Sequence, residues 1–294
     1  MKVGVYSYFR HDGSEEYVKL LLEELANYNM EVYVESNCWE NVNQEEISTE
    51  AYKTFESYED LDDSFDLFFS VGGDGTILRT ILYVRDLNIP ILGINTGRLG
   101  FLATVQKEDI RRAVKDMVEG NYEVVERTLL EVQTDTVING IGELNFALNE
   151  IAVSRRNTTS MITVETYLDD AYLTSYWADG LIIATPTGST GYSLSCGGPV
   201  IAPDTSGLVI TPIAPHNLNA RPLVIPDNVT IKLSVSGREK THLISLDSRI
   251  ATTNNQTTLI IKKAPFTIKM IELASESFLK TLRKKMLWGE DKRN

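Results

Sequence analysis

The chain is poor in the residues that mark most specialised chemistries, with two cysteines and three histidines in 294 residues. Cys38 and Cys196 stand far apart, which predicts free thiols in a reducing compartment rather than a disulfide framework. Together with His11, His216 and His242 they are too scattered for a zinc motif, and His216 reads as structural rather than as a general base. Positive charge is also short: 28 Lys and Arg face 41 Asp and Glu, and the net charge of −13 opposes a nucleic-acid or anionic-membrane partner. No apolar run reaches the roughly 20 residues that cross a bilayer, and the N-terminal run broken by Arg10 is too short for a signal sequence. A cytoplasmic protein is expected. Two nucleotide signatures are missing as well. There is no Gly-x-x-x-x-Gly-Lys-Ser/Thr loop and no Gly-x-Gly-x-x-Gly after the first strand, so neither a P-loop NTPase nor an ordinary Rossmann dehydrogenase is supported.

What is present is ample apolar material, 43% of the chain, enough for one large core or two domains. Residues 3–9 read as a strand, followed by a helix with Val18, Leu21, Leu22 and Leu25 on one face and Asp12 or Ser14 as its N-cap. The acidic stretch 35–63 reads as solvated loop and short helix. Residues 65–71 form a buried-strand pattern that runs into Gly72, Gly73, Asp74, Gly75 and Thr76, with Ile77, Leu78, Ile81 and Leu82 following at helical spacing. A strand at 89–95, a turn-rich 96–101 and a helix at 108–119 closed by Gly120 complete the pattern. This alternation predicts a parallel sheet with helices on its faces. After Arg127 the texture changes to Val-, Ile-, Thr- and Tyr-rich runs at 129–134, 162–168 and 229–235. Turn signals such as Asn139-Gly140 and Asp169-Asp170 separate them, as in an antiparallel β unit. A last helix is expected over 277–288, with Phe278, Leu279 and Leu282 on one side.

Three segments carry the chemistry. In the turn 72–76, glycines at 72, 73 and 75 permit positive φ and close approach of a ligand, and the helix that follows offers N–H groups and a favourable dipole to phosphate. Asp74 would be repelled by that phosphate unless it serves a metal ion or a hydroxyl, which suggests phosphoryl transfer to an alcohol; an Asp74 that merely caps the helix is the alternative. The run 179–199, dense in Gly, Ser and Thr with Tyr192 among them, suits a nucleotide, and a hairpin of the β unit would look the same. Asn149 and Glu150 offer an amide and a carboxylate to an adenine edge or a ribose, or are simply polar residues at a strand edge.

In this order the segments resemble the NAD kinase family. The turn 72–76 alone is shared with phosphofructokinases and lipid kinases. The combination with 96–101, 148–150, 179–199 and 212–222 is more specific, and it spans most of the chain from about residue 65. The resemblance implies an α/β Rossmann-like domain at 1–127 and an all-β sandwich-like domain at 128–270. The segment 271–294 would return as a helix to the first domain, and the active site would lie between the domains. It implies ATP and NAD as substrates, Mg²⁺ or another divalent cation with ATP, and a homodimer or homotetramer. By the same resemblance Asp74 would accept the proton of the 2′-hydroxyl, and Gly72, Gly73, Gly75 and Arg79 would hold phosphates. Phe101 would line the adenine pocket and Asn149 and Glu150 would hold adenosine. Thr190, Gly191, Tyr192, Ser193, Leu194 and Ser195 would wrap the dinucleotide, and Asp179 would meet the nicotinamide half. Two positions depart from the family pattern: Gly191, where many relatives carry alanine, and Trp177, often polar or basic. A lipid kinase would share the glycine-rich turn, but the charge of −13 speaks against membrane delivery. A non-catalytic dinucleotide sensor would gain nothing from a carboxylate beside phosphate.

Overall fold

A computed structural model of the chain describes residues 1–8, 14–42, 52–157 and 160–287. The chain divides into two compact units, Met1–Glu126 with Ile268–Asn294, and Arg127–Thr267. The first is α/β, and the second is an antiparallel β-sandwich.

In the first unit the strands are β1 (Lys2–Ser7), β2 (Glu31–Glu35), β3 (Tyr52–Phe55), β4 (Leu67–Gly72), β5 (Ile91–Asn95) and the short β6 (Val105–Gln106), and all their pairings are parallel. The helices are α1 (Glu15–Asn27), α2 (Ser36–Asn41), α3 (Asp74–Val84) and α4 (Ile110–Glu119). Every residue of β4 and β5 is buried, as central parallel strands covered on both faces require. Val18, Leu21, Leu22 and Leu25 of α1 and Ile110, Ala113, Val114 and Met117 of α4 fill one core with Val3, Val5, Leu67 and Leu92 of the sheet. Gly120 ends α4 in the left-handed conformation, φ 73°, the helix stop read from the sequence. The strand order β3-β2-β1-β4-β5 reverses direction between β1 and β4. Their carboxyl ends, Ser7 and Gly72, therefore flank the crevice in which open parallel sheets bind ligands.

Several local expectations change. Ser14 precedes α1 but its side chain makes no capping hydrogen bond, while Asp12, His11 and Phe9 lie outside the described residues. The stretch 35–63 is not wholly solvated. Glu35 is buried and caps α2 by accepting from the Cys38 N–H at 2.8 Å, and β3 adds an edge strand to β2; Glu45, Glu46 and Glu50 are outside the described residues.

The second unit holds β7 (Tyr122–Thr134), β8 (Phe146–Ala147), β9 (Glu150–Arg155), β10 (Ile162–Leu168), β11 (Ala171–Ala178), β12 (Gly180–Ala184), a single helical turn α5 (Tyr192–Ser195), β13 (Gly207–Ile213), β14 (Leu223–Pro226), β15 (Ile231–Gly237), β16 (Thr241–Leu246), β17 (Arg249–Asn254) and most of β18 (Thr258–Leu273). The chain changes unit within β7 and again within β18. One sheet has β11, β10, β15 and β18 side by side, all antiparallel. The other runs β14-β13-β12-β9-β16-β17, also antiparallel. Val164, Leu233 and Leu259 of the first meet Val153, Leu181, Ile183, Ile210 and Ile244 of the second in a common core, the aliphatic filling of a sandwich.

After β18 the chain closes with α6 (Phe278–Met286), capped by Ser277 through the Lys280 N–H. Thr281 and Leu282 are its buried residues, and Leu279 points outward at 67% exposure, against expectation; Trp288 is outside the described residues. Both cysteines are free. Among the described residues no helix is long and apolar enough to cross a membrane.

Leu22 is fully buried between α1 and the sheet. Leu22→Ala is expected to cost about 2–5 kcal/mol, read as a lowered urea midpoint with an unchanged far-UV spectrum.

Candidate active site

In the first unit, β4 delivers the glycine-rich turn directly to the start of α3. Only Gly72 uses a positive φ, 152°, and a side chain there would strike Thr76. Gly73 and Gly75 do not, which corrects the expectation for all three; they are exposed and a Cβ on either would meet nothing within 4 Å. These two leave room above the turn rather than bending it. Asp74 is the first residue of α3 and Gly73 its N-cap, so Asp74 is not the capping residue. Its carboxylate reaches across to the loop after β5. Oδ2 accepts from Phe101 N–H at 2.8 Å, and Oδ1 accepts from Leu102 and Ala103 N–H, both at 3.0 Å. The loop can come this close because residue 100 is glycine: a Cβ there would lie 1.8 Å from Asp74 Oδ1. Asn95, at the end of β5, steadies the same loop by donating to the carbonyls of Arg98 and Ala103.

Phe101 packs near Phe278 of α6, with ring centroids 6.3 Å apart. Lys285 stands 5.6 Å from the Phe101 ring centroid and donates to the Leu99 carbonyl at 2.6 Å. Arg79 lies on α3 and stacks its guanidinium 4.0 Å from the Tyr8 ring centroid. It lines a pocket of about 350 Å³ with Tyr6, Ser7, Glu35, Asn37 and Tyr83. This pocket sits beyond the carboxyl ends of β1 and β2. Burial raises the Tyr83 phenol to about 12, reinforced by Glu35, so the phenol stays protonated at neutral pH.

In the second unit, strand register rather than sequence proximity assembles the other candidates. Glu150 pairs with Ala184, which puts Asn149 and Glu150 beside the loop that leaves β12. That loop turns tightly over 187–190 and then forms α5. Tyr192 is exposed at 46%, whereas Ser193 faces inward and bonds Thr211 at 2.7 Å. The Thr190 hydroxyl donates within its own turn to Thr187. Tyr192 and Ser195 thus form the accessible part, with Gly191 and Leu194 half-buried. A Cβ on Gly191 would lie 3.1 Å from Glu150 Oε2. Asp179, just before β12, pairs with Arg155 at 2.8 Å, and burial, followed by Cys196, Asp179 and Glu150, raises the Tyr192 phenol. His216 is exposed and Trp177 is 52% exposed.

Glu150 is electrostatically unusual. Oε2 is buried without a hydrogen-bond partner. Burial, and then the neighbouring Asp247, push its carboxyl from the ordinary 4.5 to about 8, opposed only by the Tyr192 N–H. Burial pushes Asp247 up too, but three N–H bonds and Arg249 work against it there. Glu150 is therefore the member of the pair that holds the proton.

Residues 3–122 match the ATP-NAD kinase N-terminal domain and residues 148–273 the ATP-NAD kinase C-terminal domain. The chain belongs to the ATP-NAD kinase family. It is 61% identical over 294 residues to an NAD kinase of Christiangramia forsetii, covering 100% of both chains. It is 51% identical to one of Cytophaga hutchinsonii over 78% of each. An Archaeoglobus fulgidus NAD kinase solved in complex with ATP superposes with a TM-score of 0.75 at 28% identity, covering 98% of this chain and 99% of that one. A yeast NADH kinase solved with NADH shares the fold, with a TM-score of 0.87 at 22% identity, covering 100% and 89%.

Four groups that build these sites stand out only in the fold: Gly100, which admits Asp74, Arg155 opposite Asp179, Thr185, whose hydroxyl donates to the Leu148 carbonyl, and Asp247 beside Glu150. Asp247-Ser248 between two alternating strands was the available signal, a two-residue hairpin turn.

A carboxyl raised in the folded state binds its proton more tightly there than in the unfolded chain. Its contribution to stability is full below pH 4.5 and is lost as pH rises through about 8. Glu150→Gln is expected to flatten that decline, measured as urea midpoints from pH 5 to 9; an unchanged slope means that Glu150 titrates normally.

Proposed function

We propose that this member of the ATP-NAD kinase family transfers the γ-phosphoryl group of ATP to the 2′-hydroxyl of the adenosine ribose of NAD, giving NADP and ADP. The carrying observation is the fixed carboxylate of Asp74 at the head of α3. A carboxylate offers about four acceptor positions. Oδ1 uses two and Oδ2 one on the loop N–H groups, so the open position is on Oδ2, the oxygen that would receive the hydroxyl. Phosphoryl transfer passes through a loose transition state that asks for alignment and charge neutralisation more than for early deprotonation. A carboxylate locked in one orientation supplies the alignment.

Gly72, Gly73 and Gly75 would admit the phosphates to the start of α3, where the helix dipole favours them. Arg79 would meet the donor from its pocket beside the turn, and Phe101 would offer a ring to adenine. Because both Asp74 oxygens are engaged by backbone, a Mg²⁺ or other divalent cation would be held chiefly by phosphate oxygens, and there it would neutralise phosphate charge. On the second unit, Asn149 and Glu150 would hold the adenosine. A protonated Glu150 can donate to a sugar oxygen as well as accept. Gly191, Tyr192, Leu194 and Ser195 would cover the dinucleotide, with Thr190 and Ser193 shaping the loop from within, and Asp179 would meet the nicotinamide half. The unpaired thiols suit a cytoplasmic setting. Exposed Tyr172, Trp177 and Val224 on or beside the edge strands β11 and β14 suit burial in a homodimer or homotetramer.

The test is incubation with ATP, Mg²⁺ and NAD and an NADP-specific readout. Asp74→Asn is expected to lose at least about 100-fold in kcat while calorimetry still detects NAD binding. Near-normal turnover in a folded Asp74→Asn protein overturns the role given to Asp74.

A further inference from the structure

Asp247 occupies the two-residue turn between β16 and β17, where Leu246 pairs with Arg249. Its φ of 52° lies in the left-handed region, which Asp and Asn tolerate better than other side chains. Leu246 also pairs with Ile151 of β9, so the turn lies against the first residues of that strand. Its carboxylate accepts from the N–H groups of Leu148 at 2.9 Å, Asn149 at 2.8 Å and Glu150 at 3.2 Å, and its own N–H donates to the Glu150 carbonyl at 3.0 Å. Thr185 takes the two groups that are left. Its hydroxyl donates to the Leu148 carbonyl at 2.6 Å and its N–H to the Asn149 carbonyl at 2.9 Å. All six backbone polar groups of residues 148–150 are thereby accounted for, four of them by Asp247. Upstream, Arg249 donates to the carbonyls of Leu144 and Phe146, so one hairpin grips both sides of the segment.

A turn needed only for folding has no use for a second carboxylate against a buried one, because at low dielectric the two cannot both ionise and one must take up a proton. Groups arranged at such a cost cluster at functional sites. We propose that Asp247 is a positioning residue for the dinucleotide subsite, which aims Asn149 and Glu150 at the adenosine sugar by gripping their backbone. This rests on the reading that the protein phosphorylates NAD. Asp247 also acts through charge: burial raises the Glu150 carboxyl first and Asp247, with Arg249 beside it, adds to that, while the Tyr192 N–H opposes it and Cys196 is within electrostatic reach.

Asp247→Asn keeps the shape and the left-handed preference but removes the charge. It is expected to raise KM for NAD about tenfold, the worth of one well-made charge-assisted hydrogen bond, and to leave KM for ATP unchanged. It should also move the pH midpoint of KM for NAD below that of the wild type, because Glu150 loses its like-charged neighbour. In a double-mutant cycle with Glu150→Gln the two losses should be less than additive. A folded Asp247→Asn enzyme with wild-type KM for NAD and an unmoved midpoint overturns the proposal. So does an equal loss toward NAD and ATP, which is the mark of a merely structural residue. If Asp247→Asn does not fold, Asp247→Ser, which keeps one oxygen acceptor, is read in the same way, and failure of both to fold also overturns it. A wild-type enzyme that makes no NADP sinks the underlying reading instead and is seen before any variant is made.

Discussion

One device recurs in both units: an aspartate that collects three successive backbone N–H groups. Asp74 does this for Phe101, Leu102 and Ala103, and Asp247 for Leu148, Asn149 and Glu150. Loops ordinarily leave such donors to water. Here a charged acceptor replaces the water, and each bond is of the stronger, charge-assisted kind. The result is a loop held at three consecutive backbone positions. Each instance carries a steric condition. At Asp74 the loop must have no side chain at residue 100, and at Asp247 the turn must adopt a left-handed backbone.

Sheet topology decides what these aspartates can reach. In the first unit, the reversal of strand order between β1 and β4 opens the crevice into which the glycine-rich turn and the pocket at Arg79 face. In the second, β9 lies between β12 and β16, and its first residue is level with the end of one and close to the end of the other. Segments separated by some hundred positions thus converge because antiparallel register leaves them no alternative. A one-residue slip of β9 would turn Glu150 to the opposite face.

This explains what the sequence disclosed. The turn 72–76 was readable because it is local: strand, glycines and helix follow one another in the chain. The alternating runs after Arg127 likewise announced the β-sandwich. The partners of Asp74 are 27 to 29 residues away and those of Asp247 nearly a hundred, so nothing in the local pattern pointed to them. In the acidic segment Glu56, Glu59, Asp60, Asp62 and Asp63 are exposed and α2 is a short helix, as read, but two features escaped for the same reason. Glu35 is buried because α2 needs a cap, and the residues of β3 are a strand because β2 offers them an edge. Leu279 faces outward on a helix too short for hydrophobic spacing to fix its orientation. The proton on Glu150 required knowledge of what surrounds it in space.

The sandwich unit is one continuous stretch of chain, whereas the α/β unit is interrupted by it and needs the end of β18 and α6 to be complete. During synthesis the inserted unit is therefore whole before the unit that encloses it in sequence. Until residue 286 has emerged, the Leu99 carbonyl lacks the lysine that holds it and Phe101 lacks its aromatic neighbour. The loop wired to Asp74 reaches its final form last, so the partner of the glycine-rich turn is set only after the sandwich unit is whole.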